Sequence, residues 1–156
     1  MEQAKQAQPE QATTSASPER DSAQIFVMAS IVHQKSYVTF AEDLTPYLLL
    51  DVDKRVYESV KERVQKGERL PISVLYSMES ADEIKDLTEF EFMTADEQPL
   101  ARKYVSSVSK MKIRYFEKEK TALASDYEKT KDITLLQRMM KIDKTLRSLK
   151  NGENND

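Results

Sequence analysis

The sequence predicts an all-α fold, a compact helical bundle followed by a long helix and a C-terminal helical hairpin, and three observations carry that prediction. Glycine occurs twice in 156 residues, while Leu, Met, Glu and Lys are plentiful, a composition of helix formers with few chain breakers. Apolar residues recur at helical spacing: Val52, Val56, Val60 and Val64 fall every four, and Leu135, Met139, Ile142, Leu146 and Leu149 alternate fours and threes. Asp, Ser and Thr stand ahead of these runs, where helix caps belong.

Taken in order, residues 1–21 hold no aromatic or large branched side chain. Such a stretch cannot bury enough apolar area to offset the entropy of ordering, and reads as a disordered tail with the composition of an interdomain linker. The first helix is expected from Ser17 or Asp21, with Pro18 suited to a first turn. Ile25, Met28, Ala29 and Val32 would share one face, and the pattern stops at "HQKS". A turn and a short helix follow in "FAEDLTPYLLLD", started by Thr45 and Pro46. "DVDKRVYESVKERVQKG" is the clearest helix, with Asp51 or Asp53 as its cap and Gly67 at its end. Valine is an indifferent helix former, so its stripe must be stabilised by burial.

"LPISVLYSM" and "SADEIKDLTEFEF" predict two shorter helices, the second opened by a capping box of Ser80 and Glu83. Thr94 with Glu97 forms another such box. After Pro99 neither Pro nor Gly appears until Gly152, so one long helix is expected over about 98–128, its inner face marked by Leu100, Tyr104, Val108, Met111 and Tyr115. A turn at "KTKD" leads to a last helix, capped by Asp132 and reaching about 149. The long helix would exceed the width of a small domain at about 1.5 Å per residue, so its far end projects. The last helix then returns along it, and the hairpin seam consists of Phe116, Leu123, Tyr127, Leu135, Met139, Ile142, Leu146 and Leu149. Leu136 and Met140 lie one position further round, beyond the reach of that seam. The expected units are a bundle over 22–112, a hairpin over 113–150 and a disordered tail over 151–156.

Charge and chemistry narrow the function classes. A third of the residues are charged and 39% are hydrophobic, so the core is built from amphipathic elements with wet outer faces. Residues 1–100 hold 10 Lys and Arg against 19 Asp and Glu, whereas 101–156 hold 14 against 8, so −9 turns to +6 along the chain. A basic end of this kind suits a solvated face, an acidic partner or nucleic acid; Arg102, Lys103, Lys110, Lys112, Arg114, Lys118 and Lys120 form its densest cluster. There is no cysteine, hence no disulfide and no thiolate metal site. No apolar run is long enough for a membrane span and no signal peptide is evident, which makes the cytoplasm the expected compartment.

His33, the only histidine, rules out a multi-histidine metal site and is expected to end a helix on the surface. The acidic stretch Glu79, Asp82, Glu83, Asp86, Glu89, Glu91 lacks calcium-loop spacing and reads as a solvated helix face. Scarce glycine argues against a phosphate-cradling loop, and Asp51 and Asp53 are explained as helix caps. The expectation is a non-catalytic chain with no cofactor and no metal.

Several segments in order resemble the C-terminal helicase-binding domain of bacterial DNA primase, from about Ser22 to Lys150. "AQIFVMASIVHQKSYV" is similar to that family's opening helix, and "DKRVYESVKERVQKGERLPISVLYS" to its next helix, connection and short helix. "LARKYVSSVSKMKI" resembles the helix that enters the final hairpin, and "TKDITLLQRMMKIDKTLRSLK" its closing arm. "EFEFMTADEQPL" is more acidic than the family pattern. The resemblance implies a monomeric module whose hairpin docks on the N-terminal collar of the hexameric replicative helicase and modulates helicase and primase activity, touching nucleic acid only indirectly. Carried onto this sequence, Leu136 and Met140 become apolar anchors, with Ile133 at the turn and Lys141, Lys144 and Arg147 as a charged rim. The order of elements also fits the helicase's own N-terminal domain or a helicase loader, and the basic end fits a helical nucleic-acid-binding protein.

Overall fold

A computed structural model describes residues 19–154; the greater part of the expected tail, with Ser17 and Pro18, lies outside the described residues. The elements are α1 (Ser22–Val32), a single 3₁₀ turn (Thr45–Tyr47), α2 (Asp51–Gln65), α3 (Ile72–Met78), α4 (Ala81–Thr88), α5 (Glu97–Thr130) and α6 (Ile133–Asn154). The fold is all-α, and the described residues contain no strand. No helix among them is long and apolar enough to cross a membrane.

The expected single face of α1 proves too narrow. Phe26, Val27, Met28, Ala29, Ile31 and Val32 are all buried, and α1 packs against α2, α4 and α5. A helix apolar on every side belongs in the middle of a core, and here α1 is the axis round which the bundle is built. Val52, Val56 and Val60 of α2 are buried against it, while Val64 is more than a third exposed near the helix end. Gly67 stops α2 with φ +77°, in the left-handed region that glycine enters without a Cβ penalty.

The predicted caps hold at two helices and fail at three. Asp21 Oδ1 accepts from the Gln24 amide at 2.9 Å and starts α1. Asp132 Oδ1 accepts from the Thr134 amide at 2.9 Å and starts α6 as expected. At α2 the N-cap is Leu50, with no side-chain cap bond; Asp51 is exposed in the first turn, and Asp53 is buried inside the bundle for a reason given below. Ser80 stands at the N-cap of α4 without using its hydroxyl as a cap. α5 begins at Glu97 behind Asp96; Thr94 Oγ1 instead accepts from the Asp96 amide, and the Glu97 carboxylate is taken by the Ser36 hydroxyl. A cap is a local preference worth about 1 kcal/mol, and tertiary partners of comparable strength displace it.

α5 runs unbroken through 34 residues, about 50 Å at 1.5 Å per residue. Its first half closes the bundle through Leu100, Tyr104 and Met111. Beyond, a second apolar cluster begins: Leu123, Ile142 and Leu146 are buried, with Ile113, Phe116, Leu135 and Met139 packed against them. The apolar contacts thus pass from bundle to hairpin between Met111 and Ile113. Lys131, at φ +56°, turns the chain. α6 continues past the expected end near 149 to Asn154; nothing before Gly152 breaks it, and one glycine in a helix costs only about 1 kcal/mol.

Candidate functional site

The outer face of the hairpin is the candidate site. At about 100° per residue, Leu135, Ile142 and Leu146 point one way from the α6 axis and Ile133, Met140, Lys144 and Arg147 point the other. Burial agrees: Ile142 and Leu146 are 8% and 6% exposed, whereas Ile133 and Met140 are 65% and 70% exposed. An unbranched methionine and an isoleucine held in water on a rigid helix form a small apolar strip, and Lys144 and Arg147 extend it with positive charge. Lys141 flanks the strip on one side, exposed; Leu136 flanks it on the other, half-buried. Four of the six expected contact residues therefore share one face, and two stand at its margins.

The expected seam residues divide similarly. Phe116, Leu123, Leu135, Met139, Ile142 and Leu146 meet in one cluster. Tyr127 and Leu149, near the two ends of the hairpin, are half-buried and outside it. Tyr127 lies beneath the Lys131 ammonium, 5.3 Å from the ring centre, at the turn. Ile113 was missed because its neighbours in sequence, Lys112 and Arg114, are charged; it falls three residues before Phe116, and that spacing is the signal that would have found it. Lys120 with Asp143 at 2.5 Å and Lys150 with Glu117 at 3.1 Å bridge the helices on the solvent side. Such exposed pairs contribute little to stability.

The basic cluster of α5 is largely engaged within the chain. Lys112 pairs with Glu42 at 2.6 Å, Arg114 with Asp21 and Lys120 with Asp143, and the Lys103 ammonium lies 4.7 Å from the centre of the Phe26 ring. Cations already paired with carboxylates have fewer counterions to release to a phosphate backbone. Among the described residues Lys141, Lys144 and Arg147 of α6, beside the apolar strip, carry positive charge without an ion pair, as do Arg102 and Lys118 of α5.

Sequence reasoning missed the polar network at the base of the hairpin. The Arg20 and Asp53 side chains are fully buried and joined by a fork: Arg20 Nη2 donates to Oδ1 at 2.7 Å, and Nε to Oδ2 at 2.9 Å. Arg20 Nη2 also donates to the Glu83 carbonyl at 2.8 Å. Gln24, buried, donates through Nε2 to Asp53 Oδ2 at 2.6 Å and accepts at Oε1 from Arg114 Nη2 at 3.0 Å. Arg114 reaches further, to the Tyr47 carbonyl at 2.8 Å and the Asp21 carboxylate. A glutamine amid the apolar residues of α1 was the one signal in the sequence, since a buried amide needs partners.

His33 follows α1 as expected, but it is half-buried rather than solvated: Nε2 donates to the Leu87 carbonyl at 3.1 Å, and the ring meets Phe92 edge-on. Among the described residues no group of three or more His, Asp or Glu is placed to hold a metal ion. Glu79 of the acidic stretch is forked by Arg55 at 2.7 and 2.9 Å.

These features define a class: an all-α bundle with an appended helical hairpin whose last helix carries an uncovered apolar and basic strip. Set against protein-family models, curated proteins and solved structures, the chain matches none.

Proposed function

We propose that this chain is a docking module, the helicase-binding domain of a bacterial DNA primase, and that it attaches the primase to the N-terminal collar of the hexameric replicative helicase in the cytoplasm. The observation that carries the reading is the strip of Ile133 and Met140, 65% and 70% exposed on the side of α6 turned away from its seam. Exposed apolar side chains at the centre of a patch, rimmed by Lys144, Arg147 and Lys141, are what a protein-protein interface of modest size requires. Leu136 would add contact from the margin as the partner closes over it. The domain performs no chemistry in this reading; its effect on priming and unwinding is through placement.

Calorimetric titration of the chain into the replicative helicase of the same organism tests it. Binding that is abolished by Ile133→Glu with Met140→Glu, in a variant whose helical circular dichroism is unchanged, supports the docking face. No association between the unaltered chain and the helicase overturns the proposal. Duplex or single-stranded DNA in a salt series is the control, because contacts to several phosphates would lose affinity by orders of magnitude between about 50 and 200 mM salt.

A further inference from the structure

Between the start of α1 and the first half of α5 lies a recess of about 250 Å³, with Ser22, Ala23, Phe90, Lys103, Ser106 and Ser107 in its lining. It lies on the bundle, and nothing in the docking proposal uses it. Its α5 wall is one helical face, residues 103, 106, 107 and 110, which recur at spacings of three and four. Its other wall is the first turn of α1. Phe26 and Phe90, edge-on with ring centres 5.8 Å apart, complete it as an apolar backing.

Two separate sets of donors in this recess lack an acceptor. Of the first four amides of α1, that of Gln24 goes to Asp21 Oδ1 at 2.9 Å and that of Ile25 to the Asp21 carbonyl at 3.0 Å, which leaves the Ser22 and Ala23 amides with no partner among the described residues. Free amides at a helix start favour negative charge. On the α5 wall Ser107 is only 5% exposed, yet its hydroxyl makes no hydrogen bond with any described residue. A helical hydroxyl can bond back to the carbonyl four residues earlier, as those of Thr121, Thr130 and Thr145 do. Ser107 does not, and unlike the Tyr104 hydroxyl it is not sealed from solvent, so a ligand in the recess can reach it.

The charge agrees with the donors. The lining contains lysines and no carboxylate. The Lys103 ammonium lies over the Phe26 ring and has no ion pair among the described residues, while Lys110 is already engaged within the chain. The nearby Asp21 carboxylate is outside the lining and is held by the Gln24 amide and Arg114. Three hydroxyls, two amides and an ammonium exceed the roughly four lone-pair sites of a carboxylate, and they suit the three strong acceptor oxygens of a phosphoryl group.

We propose that this recess binds a phosphoryl group, of free phosphate or of a small monoester, its oxygens accepting from the Ser106 and Ser107 hydroxyls and the Ser22 and Ala23 amides, with Lys103 supplying the opposing charge.

Amide-resolved NMR titration of the chain with inorganic phosphate, at ionic strength held constant with sodium chloride, tests this; acetate serves as the planar anion and phenyl phosphate as the monoester. Saturable shifts at Ser22, Ala23, Lys103, Ser106 and Ser107 are expected with phosphate, and weaker binding with acetate. Phenyl phosphate that binds more tightly than phosphate assigns the site to an ester; binding no tighter assigns it to free phosphate, and either result supports the site. Ser107→Ala should weaken phosphate by about ten-fold, the lower end of the worth of a hydrogen bond to a charged oxygen. The same variant should melt no lower than the parent, because alanine is the better helix former and the deleted hydroxyl has no partner, so a loss of affinity cannot be attributed to unfolding. Lys103→Gln should weaken binding and reduce its dependence on salt. The proposal is overturned by the absence of saturable shifts at tens of millimolar phosphate, by equal affinity in Ser107→Ala, or by acetate that binds as well as phosphate.

Discussion

Arg114 Nη2 lies 3.0 Å from Gln24 Oε1, and through that contact the helix that leaves for the hairpin is tied to the buried centre of the bundle. Gln24 passes the connection to Asp53, and Asp53 to Arg20. Arg114 also holds the Tyr47 carbonyl, and Tyr47 meets Tyr115 edge-on at 5.2 Å. The hairpin's direction is therefore set where α5 crosses from one apolar cluster to the other.

Arg114→Met is expected to cost about 2 kcal/mol, the loss of charge-assisted bonds on a partly exposed side chain, and to loosen the hairpin. The chain has no cysteine, so nitroxides at Lys66→Cys and Ser148→Cys can report the distance from bundle to hairpin by electron-electron resonance. The distribution should broaden in Arg114→Met; an unchanged distribution would show that the apolar contacts alone fix the direction.

Asp53→Ala leaves the Arg20 guanidinium buried without a counter-charge and should destabilise the chain by about 3–5 kcal/mol in urea unfolding. Replacing both residues, Arg20→Met with Asp53→Leu, should recover most of that loss, since the cost comes from the stranded charge. A double variant no better than the single one would contradict this account.

Leu146 and Met140 are six residues apart on one helix and should behave oppositely. Leu146→Ala opens a cavity in the seam, with an expected loss of about 2–4 kcal/mol. Met140→Ala should change the stability of the free chain by less than about 0.5 kcal/mol, and weaken only the proposed complex with the helicase. Equal losses in thermal unfolding would refute the assignment of Met140 to a partner face.

The α6 cap should respond to acid. Hydrogen bonds from the Thr134 hydroxyl and amide hold the Asp132 carboxyl below its ordinary value. A folded pKa lower than the unfolded one, about 3.9, means that the stabilisation is complete above that pH and is lost as pH falls through the lowered folded value. Amide exchange at Thr134 and Leu135 should therefore quicken below about pH 4, beyond its intrinsic pH trend, and Asp132→Asn should remove that dependence.

How far the sequence reaches can be seen residue by residue. Val52, Val56 and Val60, the seam residues Phe116, Leu123, Leu135, Met139, Ile142 and Leu146, and the exposed Met140 follow from spacing along a helix, because a helix face is a local property of 3.6-residue periodicity; Leu136, which spacing pairs with Met140, is half-buried instead, and Ile133 comes only from the family resemblance. The primase resemblance rests on the same order of segments and leads to the proposal tested by the helicase titration.

Asp53 shows where such reading stops. A carboxylate two residues into a helix looks like a cap by every local rule, and its use as the buried partner of Arg20, 33 residues away in sequence, leaves no trace in its neighbours. Arg114 and Tyr104 are alike in this: one reads as part of a basic run and the other as core, yet the first becomes a latch and the second carries a buried hydroxyl with no partner among the described residues. The sequence by itself determined the helices, the inward faces of α2 and α6 and the hairpin, since those depend on contacts between residues close along the chain, but not the burial of α1 on nearly every side. Only the tertiary structure decided which charged groups are buried and paired and which cations remain open on α6, because those depend on elements brought together from across the chain, where a partner a few ångströms away outweighs a local preference of about 1 kcal/mol.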